Sequence, residues 1–130
     1  LILWTGGTWI DPLMSLVICA VILWSTYGLL RSSLGMSLNA VPPGISVDAV
    51  KEFLRKQPGV AQIHDLHIWP ISTTETALTC HMVMPAGHPG DRFLLDTAHR
   101  LAHDFGIGHA TLQIEVSEDT ACSLAPDGVV

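Results

Sequence analysis

Residues 13–30 (LMSLVICAVILWSTYGLL) carry no charged side chain. This run restricts the chain more than any other feature. A helix crossing a bilayer core needs about 20 apolar residues, within a range of roughly 17–25. At ~1.5 Å per residue the run covers about 27 Å before its flanks are counted. Ile10 extends it past Asp11, which reads as an N-cap, and Pro12, which reads as the first helical residue, where a missing N–H costs nothing. Trp9 and Tyr27 stand near its two ends, as interfacial aromatics do. A secretory signal is the rival reading, but the run has no basic n-region and no small-residue cleavage site after it. A buried core helix is the other rival.

Basic residues set the orientation. Arg31 closes the run and Lys51, Arg55 and Lys56 follow, whereas residues 1–10 hold no Lys or Arg. The positive-inside rule therefore puts the C-terminal side in the cytoplasm. Three widely spaced cysteines, Cys19, Cys80 and Cys122, make no disulfide framework and suit a reducing compartment. The net charge of −6 speaks against nucleic acid as a partner, because neutralising phosphates takes a basic face. A chain that is 48% hydrophobic and 14% charged is not a disordered one. The first residue is Leu rather than Met, and the chain reads as the C-terminal piece of a longer protein. Past Asp11 the helix holds no ionisable residue of the kind that marks an ion path, so this segment alone transports nothing.

The expected organisation is a periplasmic loop remnant at 1–11, a transmembrane helix at 12–31, a linker at 32–45, a cytosolic domain at 46–118 and a flexible tail at 119–130. Pro42-Pro43-Gly44 stops any continuing helix. Ser46 caps a helix to about Gln57, with Val47, Val50, Phe53 and Leu54 as its apolar face. A strand over 60–71 and one over 76–84 follow; in the second, Leu78, Cys80, Met82 and Met84 alternate with Thr79, His81 and Val83. A helix over 91–105 buries Leu94, Ala98, Leu101 and Phe105, with Leu95 and Ala102 beside them, and Gly106 stops it. The last strand, 110–116, turns Leu112, Ile114 and Val116 inward. The class is α+β: one transmembrane helix followed by a small α-β-β-α-β open-faced sandwich.

Seven histidines, all beyond position 60, are the main compositional oddity, and neutral imidazole is the commonest metal ligand. Strand parity sends His81 and Glu115 to the face away from the helices. His64, Asp65 and His67 lie on the neighbouring strand, but strict alternation would turn His64 toward the helices, so a His64–His81 pair requires a bulge. A solvated or dimeric polar sheet face is the bland alternative. Asp96, His99 and His103 share one helical face, which reads as solvated. Parity buries Cys80 as packing, while Cys122 lies in the tail within reach of a metal. His88 and His109 take no assignment. The sequence shows no nucleophilic triad, phosphate-cradling loop or paired carboxylates, and the expectation is that this is not an enzyme. A zinc hydrolase built on His67, His81 and Glu115 would lack a general base.

The runs Trp9-Ile10-Asp11-Pro12, Val41-Pro42-Pro43-Gly44-Ile45, His64-Asp65-Leu66-His67-Ile68-Trp69, Leu78-Thr79-Cys80-His81 and His109-Ala110-Thr111-Leu112-Gln113-Ile114-Glu115 occur in the order found in one family. Over about residues 9–116 the chain resembles the C-terminal part of a cation diffusion facilitator of the cobalt–zinc–cadmium efflux subgroup. The resemblance implies a dimeric divalent-cation/proton antiporter of six membrane helices in the cell (inner) membrane. It also implies a copper-chaperone-like cytosolic domain that dimerises and binds metal. By resemblance the metal site falls on His64, His81 and Glu115, with Asp65, His67 and Gln113 as weaker members and Zn²⁺, Co²⁺ or Cd²⁺ as the ion. Several animal relatives carry a CxxC pair that joins the site, where Cys122 here stands alone. The alternative is a structural dimerisation module that needs no metal.

Overall fold

The computed structural model describes residues 9–117, Cys122 and Leu124. Most of the expected N-terminal remnant and most of the expected tail lie outside the described residues. Helix α1 spans Ile10–Ser37, α2 Val47–Arg55 and α3 Asp91–Phe105; strand β1 spans Gln62–Pro70, β2 Thr76–Val83 and β3 His109–Glu115.

None of the 28 residues of α1 is buried, and its most apolar window has a mean hydropathy of 2.1. It is therefore not a core helix of the globular part. Its hydroxyls turn back onto the helix: Ser15, Thr26, Ser32 and Ser37 donate to carbonyls one turn earlier at 2.9–3.0 Å. Self-satisfaction of this kind is what an environment without water demands. The helix begins one residue before Asp11, behind Trp9, so Asp11 belongs to the first turn instead of capping it. It also continues past Arg31 to Ser37, into the expected linker. The prolines do not end it. Asn39, at φ +52°, takes the left-handed position after the helix, where its N–H bonds to Met36 O and the Ala40 N–H to Gly35 O at 2.9 Å. This paired closure satisfies the last carbonyls before Pro42 is reached.

After it comes a compact sandwich. The hydroxyl of Ser46 accepts from the Ala49 N–H at 3.3 Å and starts α2, whose Val50 and Leu54 are fully buried. Val47 stays on the surface. The sheet order is β1-β2-β3, with β1 antiparallel and β3 parallel to β2, so α3 is the crossover that returns the chain. The core gathers Ile63, Ile68, Leu78, Cys80, Met82, Met84, Leu101 and Ile107 against α2. Thr97 is buried on α3, whereas Leu95, expected beside the apolar stripe, is 70% exposed, and Ala102 is exposed too. Val116 falls past the end of β3 and is likewise exposed, because pairing with β2 stops at Val83 opposite Glu115.

One irregularity decides the face of every β1 residue. His64 pairs with His81 and His67 with Thr79, so β1 spends one more residue than β2 between the two pairs. Asp65 absorbs it at φ +50°; Asp is among the few residues besides Gly that visit this region at low cost. The bulge puts Ile63 and Ile68, five apart and so on opposite faces of a regular strand, both into the core.

Candidate metal centre

The same bulge turns His64 to the outer face of the sheet beside His81. Their ring centroids are 5.1 Å apart with planes inclined at 70°. The third strand brings Glu115: its Oε1 lies 3.0 Å from His81 Nδ1 and 3.4 Å from His64 Nε2. Cys122 Sγ closes the group at 3.8 Å from His81 Nδ1. One donor atom from each of His64, His81, Glu115 and Cys122 lies within 4.8 Å of every other. A tetrahedral ion with bonds of ~2.0–2.3 Å holds its ligand atoms roughly 3.3–3.8 Å apart, so the four need to draw in by about 1 Å.

His64 stands out within this group. Its side chain is 4% exposed, and neither ring nitrogen has a hydrogen-bond partner among the described residues. The contact to Glu115 lacks the alignment of a hydrogen bond. Leaving a buried polar group unsatisfied costs about 1–3 kcal/mol, which a metal ion could offset. The donor set, two imidazoles, a carboxylate and a thiol, suits borderline ions such as Zn²⁺, Co²⁺ and Cd²⁺ over the oxygen-seeking Mg²⁺ and Ca²⁺.

Around this group a second set holds it in orientation. Asp65 Oδ2 stands 3.5 Å from His81 Nε2, and its Oδ1 contacts His67 Nε2 at 2.8 Å. Asp65 thus faces the His81 nitrogen opposite the one turned to Glu115 and Cys122. A carboxylate behind a ligating imidazole is the arrangement that fixes its tautomer and raises its basicity. The Gln113 amide donates to Glu115 Oε1 at 3.2 Å and contacts His81 Nδ1 at 3.4 Å. Burial alone would push the Glu115 carboxyl up. The His64 ring, the bonds from Gln113 and Cys122 and the His81 ring outweigh it, holding the carboxyl below its ordinary range. Glu115 is thereby poised as a carboxylate.

Of the six residues expected at the site, the structure joins His64, His81 and Glu115 in one group, with Asp65, His67 and Gln113 on its flank. Cys122, expected only to lie within reach of a metal, is the donor that was not placed in the set. It has no spacing motif and stands seven positions past the end of β3, a reach of up to ~23 Å in any direction. Cys80 is 1% exposed, and its thiol is pushed up to about 12, mainly by burial and further by the Asp65 charge; it is packing, as parity had it. His88 Nδ1 accepts the Gly90 N–H within its own loop, and His109 lies 3.5 Å from Glu75 on the surface.

Comparison with known proteins gives this arrangement a lineage. Residues 42–117 match the cytoplasmic domain of the cation efflux proteins. The chain is 39% identical over 118 residues to a probable zinc transporter protein of Dictyostelium discoideum, covering 88% of this chain and 21% of that one. It is 33% identical to the cadmium, cobalt and zinc/H⁺–K⁺ antiporter of Bacillus subtilis, covering 88% of this chain and 38% of that one. A solved structure of the CzrB zinc transporter in its zinc form shares the fold at 22% identity with a TM-score of 0.51, over 63% of this chain and 97% of that one. The chain thus spans between a fifth and two fifths of the length of these two relatives. Because the family match covers the sheet and both helices packed on it, the chain belongs to the cation efflux proteins, and residues 42–117 are the cytoplasmic domain of that family.

Proposed function

We propose that this chain is the last membrane-crossing helix and the metal-sensing, dimer-forming cytoplasmic end of a divalent-cation exporter. The exporter is a multi-pass protein of the cell (inner) membrane that moves Zn²⁺, Co²⁺ or Cd²⁺ outward, by proton antiport. In this reading α1 crosses the bilayer over 12–31, its last turn and the following linker to 45 stand in the cytoplasm, and 46–118 form the sensing lobe. The chain itself senses and dimerises, and the exporter it ends transports rather than catalyses. The reading of the lobe rests on one observation, the buried His64 ring with both nitrogens unpartnered beside Glu115, His81 and Cys122.

Bound metal would supply the positive charge that two acidic copies, at −6 each, lack when they approach. His64, His81, Glu115 and Cys122 would hold the ion, and Asp65 would orient His81. Since a ligand shifts an equilibrium only by its differential affinity for the two states, the associated form must bind metal more tightly than the separate one.

Calorimetry and sedimentation of the full chain in detergent micelles, with and without Zn²⁺, test this. The expected result is heat of binding together with tighter self-association, both lost in His64→Ala and in Glu115→Gln. A dimer that forms equally well without metal, with no heat on titration, would mean a purely structural module instead.

A further inference from the structure

On the exposed side of α3, away from the group just described, His99 and His103 stand one helical turn apart. Their rings are nearly parallel, inclined by 13°, with centroids 6.3 Å apart. An i,i+4 pair projects from one face of a helix, so both rings stand on the same side, next to each other in solvent. His103 is also oriented: its Nδ1 lies 2.7 Å from Asp104 Oδ1, the geometry of an N–H donating to the carboxylate. In that tautomer the lone pair sits on Nε2 of a side chain that is mostly exposed. This carboxylate–histidine pairing is the usual support behind a ligating imidazole. The Arg100 guanidinium, between the two histidines in sequence, lies over the Phe53 ring at 4.5 Å, and its Nε stands 3.9 Å from the other oxygen of Asp104. Asp96, one turn before His99, adds negative charge to the same side of the helix.

We infer that His99 and His103 form a second, open metal site, a two-imidazole clamp for a divalent transition ion on the surface of α3, with Asp104 as a positioning residue. It differs in kind from the four-donor group. With two protein ligands and solvent in the remaining positions it binds more weakly and exchanges faster, and it samples the metal of the surrounding solution. Two donors held on one rigid helix act at a high local concentration toward the same ion. The ion in turn ties adjacent turns of the helix that carries the chain from β2 to β3.

The test follows the imidazole ¹⁵N resonances of His99 and His103 in the full chain in micelles during titration with ZnCl₂. The expected result is one common midpoint for the two rings. That midpoint should persist in His81→Ala/Glu115→Gln, where the outer-face group of the sheet is disabled, so the two sites fail or stand separately. His99→Gln should weaken the response of His103 by about tenfold or more, and Asp104→Asn by about tenfold with helix content unchanged. If His103 responds equally well in His99→Gln, or if neither ring responds in the unaltered chain, the clamp does not exist. If Asp104→Asn leaves the midpoint in place, Asp104 does not position the ring.

Discussion

His64 and His81 face each other directly across the β1–β2 pair, and they do so only because Asp65, next to His64, takes the extra residue of the strand at φ +50°. Without that residue in a bulge, alternation would send His64 into the apolar layer with Leu66 and Ile68. The backbone irregularity and the candidate metal group are therefore one feature. The carboxylate that occupies the bulge also reaches His81 and His67.

A substitution series at Asp65 separates these two roles. Asp65→Gly keeps the left-handed backbone and loses the carboxylate, so the fold is expected to persist while Zn²⁺ affinity falls by roughly 10–100-fold. Asp65→Val adds a branched side chain that disfavours this backbone, costing a further ~1–2 kcal/mol of stability. Thermal unfolding of the micelle-bound chain, read by circular dichroism, gives the second quantity and calorimetry the first. Equal unfolding temperatures for the Gly and Val variants would show that the bulge carries no strain.

In the proposed reading, His64 gives up stability for a place among the metal donors. Replacing the ring by an apolar side chain of similar size removes two unsatisfied buried nitrogens, so His64→Leu is expected to stabilise the metal-free chain by about 1–3 kcal/mol. The same variant should lose the rise in unfolding temperature expected of the parent on adding Zn²⁺. Denaturant titrations in chelator and in Zn²⁺ check both halves. A variant that is less stable without metal would show that the imidazole is satisfied in the fold.

Glu115 predicts an acid limit. Its carboxyl is held below the ordinary range despite burial, which alone would raise it, because the neighbouring rings, the Gln113 amide and the Cys122 thiol favour the charged form. A depressed carboxyl contributes stability that is complete above the unfolded value, about 4.3 for Glu. The contribution is lost as pH falls through the lower folded value. In metal-free buffer the advantage of the parent over Glu115→Gln should thus hold at pH 6 and shrink on acidification below about pH 4. An advantage independent of pH would place the effect elsewhere.

The two thiols of the cytoplasmic part should react differently. Cys80 is buried with its thiol pushed up to about 12, so it remains protonated and shielded at pH 8. Cys122 is half-buried beside His81 and is expected to alkylate with iodoacetamide well before Cys80. Zn²⁺ should then protect Cys122 and leave Cys80 as it was. Mass spectrometry of peptides from timed reactions reads this, and an unprotected Cys122 would remove it from the proposed ligand set.

Local pattern alone was enough for most of the fold. A charge-free run can only be a lipid-exposed or deeply buried helix, a Ser before an apolar stripe starts a helix, and two-residue alternation in β2 assigns Cys80 to the core and His81 to the opposite face. Each of these depends on a few neighbouring side chains. Helix ends were less legible, since Asn39 closes α1 by a backbone pairing that the nearby prolines hid. Sequence reasoning reached His64, His81 and Glu115 as candidates and identified the bulge they require, but whether Asp65 would accept it depended on core packing of Ile63 and Ile68 together. Cys122 depended wholly on tertiary structure. A tail residue with no periodicity leaves no local trace of where it lands, and only the folded sheet, with a buried unpartnered imidazole on its outer face, defines the place where a thiol completes the group.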